Sequence, residues 1–318
     1  MIDGIVLLDK PRGYTSHDLV DKLRKILGQE RIGHTGILDP LATGLMIMLL
    51  GKGTLLSPQL TGADKVYRAT FLFGRATDTY DGEGKTIAET DPGNVTFEEF
   101  SRICLSFKGK IKQIIPPYSA AKHDGQKMYE SARRGEDTPE KFKEVELYSI
   151  DIDSFEWPRV GLTIRCSAGT YVRSLAHEMG MKLGCGAFLE SLVRNAVGQF
   201  TIDQAVTAEQ VENEDFAAVD RMIRPLTEAL PGWPKIFVRA EYVRLIIQGR
   251  PFIKKYFYST DYRGPGGCQA MLIDDRGKLL ALVQLNYSWG SFDRLDSRDT
   301  LGKYIRIIDE SHFREKLS

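Results

Sequence analysis

The stretch RIGHTGILDPLATGLM, residues 31–46, decides how the rest of the chain is read. Gly33, Gly36 and Gly44 permit positive φ or the close approach of another backbone. Asp39 precedes Pro40, whose ring disfavours helical backbone at the residue before it and so holds Asp39 extended. The longest apolar run of the chain, LATGLMIMLLG at 41–51, begins directly after. Taken on spacing alone, the commoner reading is a structural turn whose aspartate accepts backbone hydrogen bonds.

Outward from this loop the pattern mixes strands and helices without the regular alternation of a doubly wound parallel sheet. Ile5 to Leu8 read as a short buried strand. Ser16 caps a helix with Leu19, Val20, Leu23, Ile26 and Leu27 on one stripe, and Gly28 ends it. Residues 65–73 alternate with period two, Tyr67, Ala69, Phe71 and Phe73 on one face, which predicts a strand. Thr96 and Glu99 form a capping box for a helix carrying Phe100, Ile103 and Phe107. Strands are expected near 145–152 and 160–167, then a helix from about Thr170 to Gly184. Pro225, Pro231 and Pro234, with Gly232, read as a linker. The roughly eighty residues beyond it carry mostly strand signals, two of them joined by DDRGK.

The chain has 318 residues, 43 Lys+Arg and 43 Asp+Glu, and a formal net charge of zero. Neutrality excludes nucleic-acid binding through global positive charge but leaves room for a local basic face. One such face is legible. Residues 102–143 hold ten basic side chains against five acidic ones, with Tyr118 and Tyr129 interleaved, a composition suited to a phosphate backbone. The start, MIDGIVLLDKPRG, is too short and too charged for a signal peptide. No apolar run reaches the ~18 residues of a membrane helix. Cys104, Cys166, Cys185 and Cys268 lack CxxC spacing, so reduced thiols and a cytoplasmic location are expected.

Generic motifs fail one by one. Gly84-Lys85-Thr86 lacks the first glycine of a P-loop, with Thr79 in its place. His177-Glu178 lacks the second histidine of HExxH, and Cys166, His177 and Cys185 have no zinc spacing, so no metal site is expected. Neither GxGxxG after a strand nor GxSxG occurs.

The strings themselves say more. GHTGILDPLATG (33–44), KVYRATF (65–71), FGRATDTYDGEG (73–84), CSAGTYVRSLAHEMG (166–180) and GCGAFLESLVRNAVGQF (184–200) resemble the TruB family, the tRNA pseudouridine-55 synthases. DKPRGYTSHD (9–18) and PPYSAAKHDGQKMYESARRG (116–135) match as well, and the resemblance covers about residues 1–230 in the family's order. Phe73 and Met179 stand where the family usually has Leu, and neither change touches a polar group.

The resemblance implies an α+β pseudouridine synthase fold: a mixed, largely antiparallel sheet with a central cleft over residues 1–232. An RNA-gripping insertion would span about 102–143, and a small β-rich, PUA-like RNA-binding domain residues 233–318. It implies isomerisation of the T-loop uridine of tRNA, with Asp39 as nucleophile, Arg173 paired to it and lowering its pKa further, and Tyr67 stacked on the extracted base. Tyr171 would be a second active-site tyrosine, Leu192 an apolar wall, and His34 would help extract the nucleotide. Lys10 matches a family dipeptide and is placed with substrate binding. No metal and no cofactor is called for. The expected partner is the tRNA T-arm, met by a monomer without guide RNA or membrane. Two rival readings are a tRNA-folding protein with a degenerate synthase domain and a guide-RNA-dependent synthase.

Overall fold

Every position of Leu45–Leu50 is apolar because both faces of the strand they form are covered. Met46, Met48 and Leu50 join one hydrophobic core, and Leu45, Ile47 and Leu49 join another. The same division runs along the neighbouring strand, with Val6 and Leu8 on the first side and Ile5 and Leu7 on the second. A one-sided sheet would have shown alternation here.

The computed structural model describes residues 1–119, 121–123, 126–128, 134, 140–213 and 216–309. Its first part runs β1 (Gly4–Lys10), α1 (Ser16–Leu27), β2 (Ile32–His34), β3 (Thr43–Leu50), α2 (Ser57–Thr61), β4 (Lys65–Phe73), β5 (Arg75–Thr77), β6 (Thr86–Glu89), α3 (Phe97–Ser106) and β7 (Gly109–Ile114). It continues with β8 (Lys122–His123), β9 (Gln126–Lys127), β10 (Phe142–Glu156), β11 (Arg159–Cys166), α4 (Val172–Leu183), β12 (Ala187–Val197), β13 (Phe200–Thr201) and β14 (Val206–Thr207). Ten of these strands make one sheet, its main path β14-β1-β3-β12-β4-β11-β10-β7, with β2 on β3 and β13 on β12. Within this sheet, among the described residues, only β1–β14 and β3–β12 pair in parallel. The mixed, largely antiparallel α+β architecture expected from the sequence is therefore present. Among the described residues no helix is long and apolar enough to cross a membrane.

Local chemistry explains the elements. Thr15, not Ser16, caps α1: its hydroxyl accepts from Asp18 N while the Asp18 carboxylate accepts from Thr15 N. Ser16 lies inside the helix and is free to bind elsewhere. Gly28 closes α1 in the left-handed conformation. Thr96 and Glu99 form the expected box on α3. Helix α4 begins two residues later than expected, with Tyr171 at the N-cap. Gly44 is required twice over, by its φ of +107° and because a Cβ there would strike the Arg194 backbone. That contact is where β3 meets β12.

The tail forms a six-stranded sheet from β15 (Lys235–Val238), β16 (Phe252–Ile253), β17 (Phe257–Thr260), β18 (Gln269–Ile273), β19 (Leu279–Leu285) and β20 (Thr300–Ile307), in the order β16-β20-β19-β18-β15-β17. It does not hang from a free tether. Ala229 and Leu230 of the expected linker are buried. Met271, Ile273, Leu279 and Leu282 pack in the same core as Ile5, Leu7, Leu45, Ile47 and Leu49. Lys52 also reaches Asp309 at 2.7 Å.

A chain ending at residue 232 should consequently lose stability as well as tail contacts. Each large apolar side chain uncovered costs roughly 1.5–3 kcal/mol, and five of them approach the ~5–15 kcal/mol that holds a typical domain together. Thermal unfolding should show a midpoint lower by at least about 10 °C, or precipitation. A truncated chain melting with the parent would mean that the tail is an independent appendage.

Candidate active site

The loop bearing Asp39 is fixed on three sides before any ligand arrives. From α1, the Ser16 hydroxyl accepts from Leu38 N (2.9 Å) and lies 3.3 Å from Leu38 O, to which it donates. From the β1–α1 turn, Gly13 N donates to Pro40 O at 2.8 Å. From β12, the fully buried Arg194 donates through Nε to Leu45 O (2.7 Å), with longer contacts to Gly36 O and Ile37 O. Asp39 O accepts from Ala42 N at 3.0 Å, closing the turn. What projects from this frame is the Asp39 side chain.

It faces a cleft of about 630 Å³ lined by Asp39, Tyr67, Tyr171, Arg173, Leu192 and Arg194 among others. Five of the seven residues singled out from the sequence thus meet around one space. Tyr67 comes from β4, with its side chain turned inward and only 7% exposed. Tyr171 is pinned at the head of α4 by Gln113 of β7, which donates to Tyr171 O (3.0 Å) and accepts from Tyr171 N (2.8 Å). Leu192 is on β12, in register with Ala69 of β4.

Arg173, on the first turn of α4, is the hub. Its Nε lies 3.3 Å from Asp39 Oδ2, and its Nη1 lies 3.6 Å from Asp81 Oδ2. Nη1 also donates to Thr79 O (3.2 Å) and Nη2 to Tyr118 O (2.7 Å). Arg173 and Asp81 are each only 6% exposed as side chains, whereas Asp39 is 37% exposed. One guanidinium therefore ties the open carboxylate to a closed one. The Nε contact to Asp39 is not aligned as a hydrogen bond, so it attracts the carboxylate without occupying a lone pair.

The electrostatic balance differs from the sequence expectation. Arg173 was expected to carry the Asp39 pKa below the usual aspartate range. Instead the carboxyl is pushed up: burial is the largest cause, Arg173 opposes it, the nearby Asp81 adds to it, and Lys10 opposes it weakly. Burial also raises the Tyr67 and Tyr171 phenols, which stay protonated at neutral pH. At Tyr67 the buried guanidinium of Arg194 opposes that rise.

His34 and Lys10 do not line the cleft. His34 lies on β2, half-buried, with Nδ1 unpartnered among the described residues and its pKa lowered by burial and by Arg194. Lys10 is fully buried at the end of β1, and its ammonium donates to Tyr14 O (2.6 Å), Pro11 O (3.1 Å) and Pro40 O (3.5 Å). Burial lowers its pKa to about 8. Its contacts brace the residue after Asp39. Asp124, Tyr129, Glu130, Arg133, Glu136 and Asp137 of the basic segment lie outside the described residues. Among the described residues no group of His, Cys, Asp or Glu is placed to hold a metal ion.

Asp81 and Arg194 were not singled out from the sequence, and each left a signal. Asp81 is the second aspartate of TDTYDGEG. Arg194 stands two residues after Leu192, and in a strand residues two apart share a face.

The whole structure superposes on an archaeal box H/ACA Nop10–Cbf5 complex with a TM-score of 0.72 at 22% identity, covering 98% of this chain and 87% of that one. A box H/ACA particle bound to a substrate RNA containing 2′-deoxyuridine gives the same score at 22% identity, covering 96% and 85%. These two matches show a shared fold. At the level of sequence, residues 24–172 match the N-terminal domain of the TruB pseudouridylate synthases, and residues 173–231 the C-terminal domain of tRNA pseudouridylate synthase B. The tRNA pseudouridine synthase B of Oleidesulfovibrio alaskensis is 39% identical, over 89% of this chain and 92% of that protein. That of Nitratidesulfovibrio vulgaris is 40% identical, over 88% and 92%. The chain belongs to the TruB family of pseudouridylate synthases.

Proposed function

We propose that this protein converts the T-loop uridine of tRNA to pseudouridine. The N1–C1′ bond breaks, the base turns, a C5–C1′ bond forms, and the proton lost from C5 is balanced by one gained at N1. The observation that carries this reading is the Asp39–Arg173–Asp81 arrangement at the edge of a cleft walled by Tyr67, Tyr171 and Leu192. A carboxylate nucleophile must be ionised and aimed at its target, and the Arg173 pair and the braced loop supply both. A uridine in a stacked loop exposes neither face to a nucleophile, so the base has to leave the stack to react. Tyr67, Tyr171 and Leu192 offer it apolar and aromatic surfaces. His34, on β2 and with burial lowering its pKa, is the residue assigned to help displace the nucleotide. Lys10 acts on the Asp39 loop from behind.

Residues 1–232 form the catalytic part and 233–318 a PUA-like RNA-binding part, acting within a cytoplasmic monomer. The six-stranded tail supports that division, and the shared core keeps the two parts in fixed relation. Lys143 of β10, in register with Gln113 of β7, lines the cleft and offers positive charge to the phosphate backbone there, whereas Lys110 and Lys112 of β7 stand opposite Glu146 and Glu144. A tRNA-folding role with a degenerate catalytic centre fits less well, because the carboxylate, guanidinium and tyrosine are all in place.

An isolated T-arm hairpin should be modified by the purified protein in excess chelator, without a second RNA. Replacing the loop uridine by cytidine should abolish the product. The apparent affinity should fall steeply between about 50 and 200 mM salt, as expected for several phosphate contacts. A strict need for a guide RNA or for a divalent ion at the chemical step would overturn the stand-alone reading.

A further inference from the structure

Arg173 is held on its inner side by two residues of the β5–β6 loop, Thr79 through its carbonyl and Asp81 through its carboxylate, and both address the same nitrogen, Nη1. The residue between them is Tyr80. Its φ is +65°, and it is the one non-glycine residue with positive φ among the described residues. That conformation is unfavourable for a bulky aromatic side chain, because Cβ crowds the following carbonyl. The turn it makes reverses the chain between Thr79 and Asp81 and brings both acceptors to Arg173.

Something must hold Tyr80 there. Backbone bonds account for part of it: Tyr80 N donates to Thr77 O at 3.3 Å, and Tyr80 O accepts from Leu189 N of β12 at 3.0 Å. The side chain accounts for the rest. The Tyr80 ring lies flat on the imidazole of His177, with centroids 3.8 Å apart and planes 9° from parallel. His177 is four residues after Arg173 on α4, and residues so spaced share a helix face. The stack therefore joins the strained turn to the face of the helix that carries the guanidinium. His177 Nδ1 is buried without a hydrogen-bond partner among the described residues, so that nitrogen does not anchor the ring. Burial lowers the His177 pKa and keeps the imidazole neutral, which suits a buried stack.

We propose that the Tyr80–His177 stack is a clamp that holds the β5–β6 loop against α4 and so fixes Arg173 toward Asp39. Both rings are positioning residues for the isomerisation. This rests on the roles given to Asp39 and Arg173 above, and it adds that their geometry is maintained from outside the cleft. Neither ring needs to meet the RNA.

The test uses the full chain and a tRNA transcript, with single-turnover rates at saturating enzyme, the Kd for tRNA and the melting temperature measured for each variant. His177→Ala should lower the rate at least tenfold while leaving the Kd within twofold. His177→Phe, which keeps a flat ring and discards the imidazole, should recover most of that rate. Tyr80→Gly removes the ring but suits positive φ, and should resemble His177→Ala in rate without loss of stability. It serves as the primary test if His177→Ala does not fold. Because the clamp acts through the Asp81 loop, combining His177→Ala with Asp81→Asn should cost less than the product of the separate losses. Parental rates in His177→Ala or Tyr80→Gly overturn the clamp, and so does a His177→Phe variant as slow as His177→Ala. Asp39→Asn, run in parallel, separates the two ideas. Turnover there would sink the catalytic reading, whereas a dead Asp39→Asn beside a fast His177→Ala sinks only the clamp.

Discussion

Asp39→Asn is expected to reduce product formation by more than about 10⁴-fold, the scale on which removal of a nucleophile operates. The substitution takes away the charge and nucleophilicity and almost no volume. The loop should keep its shape, because Ser16, Lys10, Gly13 and Arg194 hold it through backbone atoms of Gly36, Ile37, Leu38, Pro40 and Leu45 rather than through the Asp39 side chain. Arg173 retains Asp81, Thr79 O and Tyr118 O. Affinity for tRNA should therefore stay within about tenfold, or ~1.4 kcal/mol. Single-turnover assays on contamination-free protein decide the matter, and substantial residual turnover would remove Asp39 from its role. The parent enzyme carries a linked signature. On the proposed role the active form has Asp39 ionised, and burial raises its pKa more than Arg173 lowers it. As pH falls through that raised value the rate should drop, so the acid limb of the single-turnover profile should lie above the ~3.9 of an ordinary aspartate. A limb at or below that value would contradict the electrostatic balance described above.

The parts of this structure that sequence reveals are those governed by local rules. The alternation in 65–73 gives β4 at its true ends, Lys65 and Phe73, because one face is buried and the other wet. Capping residues locate α1 and α3 to within a residue. Long-range facts were not legible. Nothing local says that Leu45, Ile47 and Leu49 will be covered by Met271 and Ile273 of the tail, so a Pro-rich stretch passed for a tether. The sign of the Asp39 shift was lost for the same reason: it depends on desolvation and on Asp81, and both exist only after folding. The resemblance located Asp39, Tyr67, Tyr171, Arg173 and Leu192 well enough that they share one cleft. Lys10, which the resemblance places with substrate binding, lies outside that cleft with its ammonium on the carbonyls of Pro11, Tyr14 and Pro40.

Arg173→Lys should be the second most damaging change, although it conserves charge. The guanidinium is planar and spreads its donors over a fixed fork, whereas an ammonium is one compact centre. Here three nitrogens face four oxygens, Asp39 at 3.3 Å and Asp81 at 3.6 Å as ion pairs, and Thr79 O at 3.2 Å and Tyr118 O at 2.7 Å as hydrogen bonds. A lysine nitrogen placed to meet Asp81 and Thr79 O withdraws from Asp39, and one placed at Asp39 leaves a nearly closed Asp81 uncompensated. Either way the carboxylate proposed as nucleophile loses aim or charge. A fall of at least about 100-fold in the single-turnover rate is expected, equal to ~2.7 kcal/mol at 1.36 kcal/mol per decade. Arg173→Met tests the charge alone. With no cation between them, Asp39 and Asp81 repel each other, and two carboxylates sharing a site drive one pKa strongly upward. Asp39, whose carboxyl burial already pushes up, then holds a proton more readily, so this variant should be nearly inert at neutral pH and recover part of its rate as pH rises. The acid limb of its profile should therefore sit at higher pH than the parent's. An unchanged limb would mean that Arg173 orients Asp39 without helping to keep it ionised, and parental rates in Arg173→Lys would mean that the fork geometry has no part in the chemistry.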